Sequence, residues 1–371
     1  MNPKLKGIEP SLIRAIHAKK KPDSIDLGLG EPTLLPQRRF LEAATRWAIE
    51  FGTKYTVNAG DLATRERIAA HYAYPGMSAG KNVCMMTGSQ EAVYATIKSL
   101  LDPALDDILV VEPAFPAYAK MAQLEGITCA HIQMTAANGF HYDVDAILAA
   151  ITPRTRLIVI GSPANPTGRV LTRADAQRLA KALGERSGPP IYVLHDEIYR
   201  ELTFVDDVGY VAEFYPHTIV ANSLSKSNAL TGMRVGYVLA PDEAIGGIVS
   251  AHAWVTSTAS AYAQRIAYEI FGEPGALQEQ AAWYRTQRVG IIDALKASGL
   301  EFIEPDGAFY ACVRLPRGTD SVAAAHTLVD ERGVVAIPGK IFGVSLEGWL
   351  RLSWVAPIPQ FAEGLARIAA L

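Results

Sequence analysis

The sequence predicts an α/β protein that is built around a mostly parallel sheet. Hydrophobic segments typical of strands buried on both faces recur along the chain, at 107–112, 155–161, 191–196 and 218–222. Segments with helical spacing of apolar residues separate them, at 117–124, 143–150 and 172–186. Strands that alternate with helices favour parallel pairing, because each helix carries the chain back to the same edge of the sheet.

Other segments extend this pattern towards both ends of the chain. Helices are predicted at 8–20, 37–51, 61–74 and 87–101, and strands at 24–27, 82–86, 127–133 and 235–240. A long helix at 276–298 then precedes strands at 309–314, 334–337 and 349–353 and helices at 320–332 and 359–371. We therefore expect a large domain of residues 36–270 and a smaller α+β domain formed by residues 1–35 and 271–371.

Composition restricts the classes of protein to which the chain can belong. Of its 371 residues 49% are apolar and 20% are charged, which is typical of a globular protein large enough for two lobes. A net charge of −3 indicates no basic surface for nucleic acid. No apolar run is long enough to cross a membrane, and the first residues lack the hydrophobic core of a signal peptide. Three separated cysteines without metal-site spacing predict buried thiols in a reducing compartment, no metal and a cytoplasmic location.

The segment Ser223–Tyr237 combines groups that suit a covalently bound phosphate cofactor. Lys226 lies between two serines, and Arg234 follows eight residues later. Serine hydroxyls and a guanidinium group donate hydrogen bonds to phosphate, and a nearby cation helps to keep a lysine neutral and nucleophilic. A surface lysine in a polar loop is the other interpretation, and this segment alone leaves both open.

A second phosphate-binding segment is predicted where Gly88, Ser89 and Gln90 follow a strand and begin a helix. The free backbone N–H groups and the dipole of a helix N-terminus both favour an anion there. The same residues would also suit an ordinary helix cap, so the segment is not specific by itself.

Three side chains lie at or soon after the carboxyl ends of predicted strands, namely Phe115, Asn165 and Asp196. Because such ends meet at one edge of a parallel sheet, we expect these side chains to border one ligand crevice. Phe115 would cover a flat ligand, although core packing is the commoner role of such a residue. Asn165 lies between two prolines, and we expect a cis peptide bond to be accessible between Asn165 and Pro166.

Three further positions are candidates for binding. Arg351 lies inside an apolar strand, where a buried guanidinium needs an anion, and either a bound carboxylate or a structural salt bridge meets that need. The glycines of Gly28–Pro32 let the backbone approach a ligand closely or simply make a turn. Tyr55 lies in a loop, where packing is the commoner role of a tyrosine.

Taken in order, these segments resemble the class I, fold-type I pyridoxal phosphate-dependent aminotransferases. The matching segments extend over nearly the whole chain and include Tyr55–Gly60, Thr87–Ala92, Glu112–Tyr118, Asn165–Gly168, Asp196–Tyr199, Ser223–Arg234 and Arg351. The resemblance implies a fold-type I transferase in which helices sandwich a mostly parallel sheet. It also implies a homodimer that uses pyridoxal 5′-phosphate to transfer an amino group from an L-amino acid to a 2-oxo acid.

The resemblance further implies that Lys226 holds the cofactor as an internal aldimine and then moves the proton during transfer. Asp196 is implied to pair with the pyridine nitrogen, and Asn165 and Tyr199 with the phenolic oxygen, while Phe115 stacks on the ring. The implied phosphate ligands are Gly88, Ser89, Gln90, Ser223 and Arg234, together with Tyr55 from the neighbouring subunit of the dimer. The implied ligands of the substrate α-carboxylate are Arg351, Asn165 and the backbone of Gly30.

The chain departs from that family in two places that bear on the substrate. Gln90 stands where one aspartate-using subgroup has lysine, and no arginine occurs between Arg234 and Arg265, where another subgroup supplies one from the partner subunit. Without a second cation the site would not offset the desolvation of a second carboxylate, so we expect neutral or aromatic amino acids to be better substrates than aspartate. Lys340 or the Arg38–Arg39 pair would change that expectation if they faced the site.

Two other functions stay open on the sequence. A carbon–sulfur β-lyase of the same fold begins with the same proton abstraction, and release of pyruvate from cystathionine without a keto acid would distinguish it. A non-catalytic binding or regulatory module is the alternative from another class. Modules of that kind carry an added DNA-binding segment, whereas only about thirty residues precede the first motif here. A nicotinamide-dependent enzyme is disfavoured, because no Gly-x-Gly-x-x-Gly follows a strand.

Overall fold

The structure is a computed structural model that describes Leu5, Ile8 and residues 10–371. In chain order, the strands are β1 Ile25–Asp26, β2 Val83–Met86, β3 Asp107–Glu112, β4 Thr128–Gln133, β5 Thr155–Gly161, β6 Tyr192–Asp196, β7 Thr218–Ser223, β8 Gly236–Leu239, β9 Phe302–Ile303, β10 Tyr310–Arg314, β11 Val334–Val335, β12 Ile337–Pro338 and β13 Trp349–Ser353. The α-helices are α1 Leu12–His17, α2 Arg38–Phe51, α3 Leu62–Tyr72, α4 Ser89–Leu100, α5 Ala117–Glu125, α6 Val144–Ala149, α7 Arg173–Gly184, α8 Leu224–Ser227, α9 Asp242–Thr256, α10 Ala261–Gly272, α11 Ala276–Ala297, α12 Ser321–Glu331 and α13 Ile358–Ala369.

The large sheet is mostly parallel. Within the described residues it contains seven strands in the order β2-β8-β7-β6-β5-β3-β4. The neighbours from β7 to β4 pair in parallel, whereas β8 runs antiparallel to both β2 and β7. Helices connect most of the parallel strands, so the prediction from the alternating strand and helix pattern is confirmed.

Helices cover both faces of this sheet, because alternate residues of a strand point to opposite sides. In β3, Ile108 and Val110 pack in a core with α4, α5 and α9, whereas Leu109 and Val111 pack on the other face with α6 and α7. Each fully buried aliphatic side chain of this kind contributes roughly 1.5–3 kcal/mol to folding. The sheet is therefore a firm support for the loops at its carboxyl edge.

The C-terminal part of the chain forms a second sheet, which is antiparallel and has the order β12-β13-β10-β9. Helices α11, α12 and α13 share a hydrophobic core with it. The N-terminal arm, the segment up to residue 35, joins this region, because β1 pairs in parallel with β11. The segment 334–337, predicted as one strand, is consequently divided, since β11 pairs with the arm and β12 pairs with β13.

A few expectations from the sequence differ from the structure or fall partly outside it. The predicted helix 8–20 is shorter in the structure, at Leu12–His17. Part of that predicted helix lies outside the described residues, and so does most of the start of the chain, on which the signal-peptide interpretation rests. The cis peptide bonds precede Pro113 and Pro163. The bond between Asn165 and Pro166, which we expected to be able to adopt the cis form, is trans. In the part of the chain that the structure describes, no helix is long and apolar enough to cross a membrane, and no group of three or more His, Cys, Asp or Glu side chains is arranged to hold a metal ion.

Candidate active site

The carboxyl edge of the large sheet brings polar residues from several segments together. Gly161, Asp196 and Ala221 are adjacent in register near the ends of β5, β6 and β7. Asn165 lies just beyond the first of these strands, and Lys226 lies just beyond the third. Side chains that are far apart in the sequence therefore border one crevice, where ligands of open α/β sheets bind.

Lys226 lies in the short helix α8 and is partly buried. Its Nζ donates a hydrogen bond of 2.6 Å to the backbone oxygen of Gly30, which brings the N-terminal arm into the site. Burial lowers the pKa of this amine to about 8; Glu31 opposes that shift, and Arg351 and Arg234 add to it. Near neutral pH such an amine is uncharged in a useful fraction of molecules and can attack a carbonyl carbon.

Asp196 ends β6 with its carboxylate buried. Burial raises its pKa to about 6, and hydrogen bonds from the Tyr118 hydroxyl to Oδ2 (2.6 Å) and from the Ile198 backbone N–H to Oδ1 (3.2 Å) oppose that rise. Tyr118 also contacts Phe115 edge to face, with ring centroids 5.9 Å apart. The sequence did not single out Tyr118, although its spacing of three residues from Phe115 at the start of a helix would place both on one side.

An anion-binding cup lies at the N-terminus of α4. Side chains cap other helices, such as Thr172 at α7, whereas the N-cap residue before α4 is Gly88, which has no side chain with which to cap the helix. The first N–H groups of the helix, those of Ser89 and Gln90, precede the intrahelical hydrogen bonds and are left for a ligand. Gly88, Ser89 and Gln90 thus occupy the position that suits a phosphate.

Arg234 forms one wall of this cup. It packs so closely on Gly88 that a Cβ there would lie 2.3 Å from Nη2, and the φ of 87° at Gly88 also favours glycine. The guanidinium donates to the backbone oxygens of Thr231 (2.9 Å) and Thr87 (3.2 Å). These bonds fix a cation beside the free N–H groups of α4.

The hydroxyls of the two serines near Lys226 are engaged within the protein. Ser223 is buried, and its Oγ lies 2.7 Å from the backbone oxygen of Val235 and 2.7 Å from Oγ of Ser225. Because a carbonyl oxygen only accepts, Ser223 donates to Val235 and Ser225 donates to Ser223. Ser225, which is absent from the predicted ligand set, is therefore hydrogen-bonded to Ser223. Either serine must rotate its hydroxyl away from its present acceptor before it can donate to a phosphate.

Arg351 on β13 is 2% exposed and has no acidic partner among the described residues. Its Nη1 donates to Oδ1 of Asn165 (3.2 Å), its Nη2 donates to the backbone oxygen of Gly28, and its Nε has no partner in the described part of the chain. The guanidinium carbon lies 4.5 Å from the ring centroid of Tyr310 and 5.1 Å from that of Phe342. A buried cation with an unused donor calls for an anionic ligand, and the structural salt bridge that the sequence left open is not observed.

Tyr199 and Tyr310 are a buried pair beside this arginine. Their hydroxyl oxygens lie 2.8 Å apart, and burial raises the pKa of both hydroxyls. The Tyr310 hydroxyl also fills the space next to Gly30, where a Cβ would lie 1.8 Å from it. Tyr310 was not predicted as a site residue, because it lies on an apolar strand that carries no other sign of function.

Tyr55 is placed differently from the other predicted residues. Its side chain is 89% exposed on the protein surface. It follows α2 and lies in the loop that precedes α3.

The cations that the sequence offered for a second carboxylate have acidic partners of their own. The pairs, with their N–O distances, are Arg38 with Glu42 (2.6 Å), Arg39 with Glu273 (2.7 Å) and Glu279 (2.5 Å), and Lys340 with Glu347 (3.8 Å). Each of these cations is thus compensated on the surface of the protein.

These groups fit pyridoxal phosphate. The phosphate suits the cup at α4 with Arg234, and the aldehyde suits the amine of Lys226 with its lowered pKa. The pyridine nitrogen suits the buried carboxylate of Asp196, which would compensate its positive charge. The unused Nε of Arg351 is left for a substrate carboxylate.

Comparisons with known proteins agree with this chemistry. The chain matches the family model for aminotransferase class I and II over residues 22–368. It is 33% identical to an aspartate aminotransferase of Pyrococcus horikoshii, over 97% of this chain and 94% of that protein. It is 32% identical to a probable N-acetyl-LL-diaminopimelate aminotransferase of Bacillus subtilis, over 99% of this chain and 94% of that protein. The structure of the Thermus thermophilus aspartate aminotransferase with maleate superposes with a TM-score of 0.92 at 29% identity, over 100% of this chain and 99% of that chain.

These relatives and the structural neighbour bear the names of aminotransferases, which confirms the main hypothesis of a transaminase. The family match also extends across both sheets and over every predicted site residue. The chain therefore belongs to the class I and II aminotransferases, and it is a pyridoxal phosphate-dependent transaminase of fold type I.

Proposed function

We propose that Lys226 is the cofactor anchor and the proton carrier of this transaminase. When bound, pyridoxal phosphate supplies an aldehyde that links to amines and a ring that accepts the electron pair left at the substrate α-carbon. Nζ of Lys226 accepts the α-proton and returns it during transfer, which a pKa of about 8 permits. The backbone oxygen of Gly30 can hold the amine whenever it is free, as it does at 2.6 Å here.

The remaining residues position the cofactor. We propose that Asp196 keeps the ring nitrogen protonated, that Asn165 and Tyr199 bind the ring oxygen, and that Phe115 covers the ring face. The proposed phosphate ligands are Gly88, Ser89, Gln90, Ser223 and Arg234, with Tyr55 of a second subunit. Support comes from the free N–H groups of α4 and from the guanidinium held beside them.

The observation that carries the substrate proposal is that the guanidinium of Arg351 has no acidic partner among the described residues. This guanidinium is buried, and its Nε is also unused among those residues. Its Nη1 already aligns Asn165, which lies on the cofactor side of the site. Arg351 therefore binds the α-carboxylate of the amino acid and of the 2-oxo acid, and the pair of planar groups fixes the α-carbon near Lys226.

We propose further that the preferred amino donors are neutral or aromatic. Gln90 is uncharged, and the surface cations Arg38, Arg39 and Lys340 already pair with carboxylates. Aromatic side chains line the site around Arg351, where Tyr310 and Phe342 lie against it. An aspartate side chain would lose its hydration there without gaining a cation. The proposal thus differs from the aspartate specificity for which two of the compared proteins are named.

A donor panel tests this proposal. Phenylalanine, leucine, alanine and aspartate are compared by kcat/KM with a fixed 2-oxo acid, once with 2-oxoglutarate and once with pyruvate. Unpaired burial of one carboxylate costs at least about 1–3 kcal/mol, so we expect aspartate to be roughly 5- to 150-fold poorer than the best neutral donor.

Two variants control this experiment. Gln90→Lys supplies a cation and should raise kcat/KM for aspartate about tenfold while changing that for phenylalanine little. Lys226→Ala should form no borohydride-stable link to the cofactor and should turn over no donor. A wild-type enzyme that prefers aspartate would overturn the substrate proposal without touching the assignment of Lys226.

We also propose a homodimer whose interface includes Tyr55. Tyr55 is 89% exposed and Trp254, at the end of α9, is 93% exposed. The loop of Tyr55 is joined to the end of α9, because Asn58 Nδ2 donates to the backbone oxygen of Ser257 at 2.7 Å. Two exposed aromatic side chains on linked segments are typical of a subunit interface.

Two broader assignments accompany this proposal. We propose a large domain of residues 36–270, which holds the whole seven-stranded sheet, and a small domain of residues 1–35 and 271–371, which holds the other strands. The free thiols of Cys84, Cys129 and Cys312 suit a reducing compartment, and we propose that the enzyme is cytoplasmic.

A further inference from the structure

Tyr310 contacts three of the proposed site residues at once. Its hydroxyl lies 2.8 Å from that of Tyr199, and its ring lies against the guanidinium of Arg351, 4.5 Å from the carbon. The same hydroxyl occupies the space beside Gly30, where a Cβ would lie 1.8 Å away. Tyr310 is 2% exposed, so these contacts are made inside the protein.

The pair of hydroxyls shares one hydrogen bond, and its direction matters for the cofactor. If Tyr199 donates to Tyr310, its only proton is used and it cannot donate to the ring oxygen. If Tyr310 donates to Tyr199, the proton of Tyr199 stays available for that oxygen. The second hydrogen bond also makes Tyr199 a stronger donor, because hydrogen bonds in a chain polarise one another.

The environment of Tyr310 favours it as the donor. The guanidinium of Arg351 lies against the ring of Tyr310, with its carbon 4.5 Å from the ring centroid, and a cation this close makes the Tyr310 hydroxyl a stronger hydrogen-bond donor. The charge of Arg351 and the ring of Tyr310 also stabilise each other, as a cation over an aromatic face does.

We propose that Tyr310 is a positioning residue that donates to Tyr199 and supports Arg351, so that one side chain sets both the cofactor oxygen contact and the carboxylate clamp. The inference rests on the proposed roles of Tyr199 and Arg351. It adds to them a residue that binds neither the phosphate nor the carboxylate but connects the residue that binds the ring oxygen, Tyr199, with the residue that binds the carboxylate, Arg351.

The test separates the hydroxyl from the ring. Tyr310→Phe removes only the oxygen and keeps the ring under Arg351. We expect the pKa of the pH-dependent colour change of the bound cofactor to rise by about half a unit to one unit, because Tyr199 becomes a weaker donor to the ring oxygen. The dissociation constant of the cofactor from the apoprotein should rise a few-fold, while KM for phenylalanine stays nearly constant.

Tyr310→Leu removes the ring as well and should raise KM for phenylalanine about tenfold, because the guanidinium loses its aromatic support. If this variant does not fold, the measurements on Tyr310→Phe still decide the question. Tyr284→Phe is the matched control, since Tyr284 is buried in the same aromatic cluster with its hydroxyl unpaired within the described chain. It should leave the colour change unaltered.

The sign of the shift is decisive. An unchanged or lowered pKa in Tyr310→Phe would show that Tyr310 does not donate to Tyr199 and would overturn the proposal. Tyr199→Phe tests the underlying assignment separately: if it also leaves the colour change unaltered, Tyr199 does not bind the ring oxygen, and the proposed function fails at that residue. A shift in Tyr199→Phe without one in Tyr310→Phe refutes only the role of Tyr310.

Discussion

The hydrogen bond from Tyr118 to Asp196 offers a direct way to change the charge beneath the cofactor. Asp196 is buried, and burial raises its pKa to about 6, while the Tyr118 hydroxyl at 2.6 Å and the backbone N–H of Ile198 at 3.2 Å hold it down. Tyr118→Phe removes the shorter of these bonds and keeps the ring and its edge contact with Phe115. The change therefore acts on the carboxylate while leaving the packing in place.

The magnitude follows from the charge of the acceptor. A hydrogen bond to a charged group contributes about 1.5–3 kcal/mol, and one pKa unit corresponds to about 1.4 kcal/mol. Loss of the Tyr118 bond should thus raise the pKa of Asp196 by about one to two units, to roughly 7–8. A raised pKa means that the carboxylate is neutralised as pH falls through this higher value, so that at about pH 7 much of the variant would lack the anion that the ring nitrogen needs.

Cofactor affinity measured against pH reports this change. Both proteins are prepared with Lys226→Ala, so that titration of the lysine does not contribute, and binding is followed by fluorescence. We expect affinity to fall on the acid side in both, with the midpoint in Tyr118→Phe higher by about one to two units. Titration of the cofactor phosphate is common to both and cancels in the comparison.

Two controls define the result. Tyr142→Phe removes another tyrosine hydroxyl, which donates to the backbone oxygen of Gly161 instead of to Asp196, and should leave the midpoint unchanged. Asp196→Asn should abolish the difference between the proteins. Equal midpoints for Tyr118→Phe and its parent would refute the reasoning, because the hydrogen bond would then not control the charge of Asp196.

Two further predictions concern stability and assembly. Glu91 accepts hydrogen bonds from His252 Nδ1 (2.8 Å), from Thr256 and from the backbone N–H of Thr87 (2.5 Å); burial pushes its pKa up, but these bonds outweigh burial and lower it to about 2. A lowered pKa contributes stability above about pH 4.5 that is lost as pH falls towards 2. Glu91→Gln should therefore lower the free energy of unfolding by about 1–3 kcal/mol near neutral pH, and its urea midpoint should fall less steeply than that of the wild type between those pH values. Parallel curves of urea midpoint against pH would contradict this, and the exposed Glu185→Gln is the control. Trp254→Lys should leave the monomer stable but raise the dissociation constant of the dimer by about 30-fold or more in sedimentation experiments. Leu105→Lys, at the opposite edge of the sheet, is the control and should leave that constant unchanged. An unchanged dissociation constant in Trp254→Lys would place Trp254 outside the interface.

The sequence predicted the large sheet well because the pattern that defines it is local. Alternation of apolar strands and helices needs only neighbouring residues to be recognised, and the same holds for the glycine that precedes α4. The division of 334–337 between two sheets was not predictable, because it depends on pairing with β1 at the other end of the chain.

The site was predictable where a motif carries the chemistry and not where distant contacts create it. Asp196 and Arg351 stand out by residue type at the end and in the middle of an apolar strand, and Lys226 stands out just beyond one. Tyr118 and Tyr310 acquire their places through partners that are 78 and 111 residues away, Asp196 and Tyr199 respectively. Nothing in the local sequence of Tyr310 distinguishes it from a core residue of β10.

The pairing of β1 with β11 has a consequence for the order in which the enzyme is completed during synthesis. The partner of β1 is made roughly 300 residues later, which at about 5–20 residues per second leaves the N-terminal arm unpaired for roughly 15–60 s. All strands of the large sheet emerge in that interval, so the sheet and the cup at α4 can form first. The arm carries Gly30, whose backbone oxygen holds Lys226, and Arg351 emerges later still. A growing chain can therefore form the phosphate-binding cup before its active site is complete. The amine of Lys226 is correctly placed only after β1 has paired with β11.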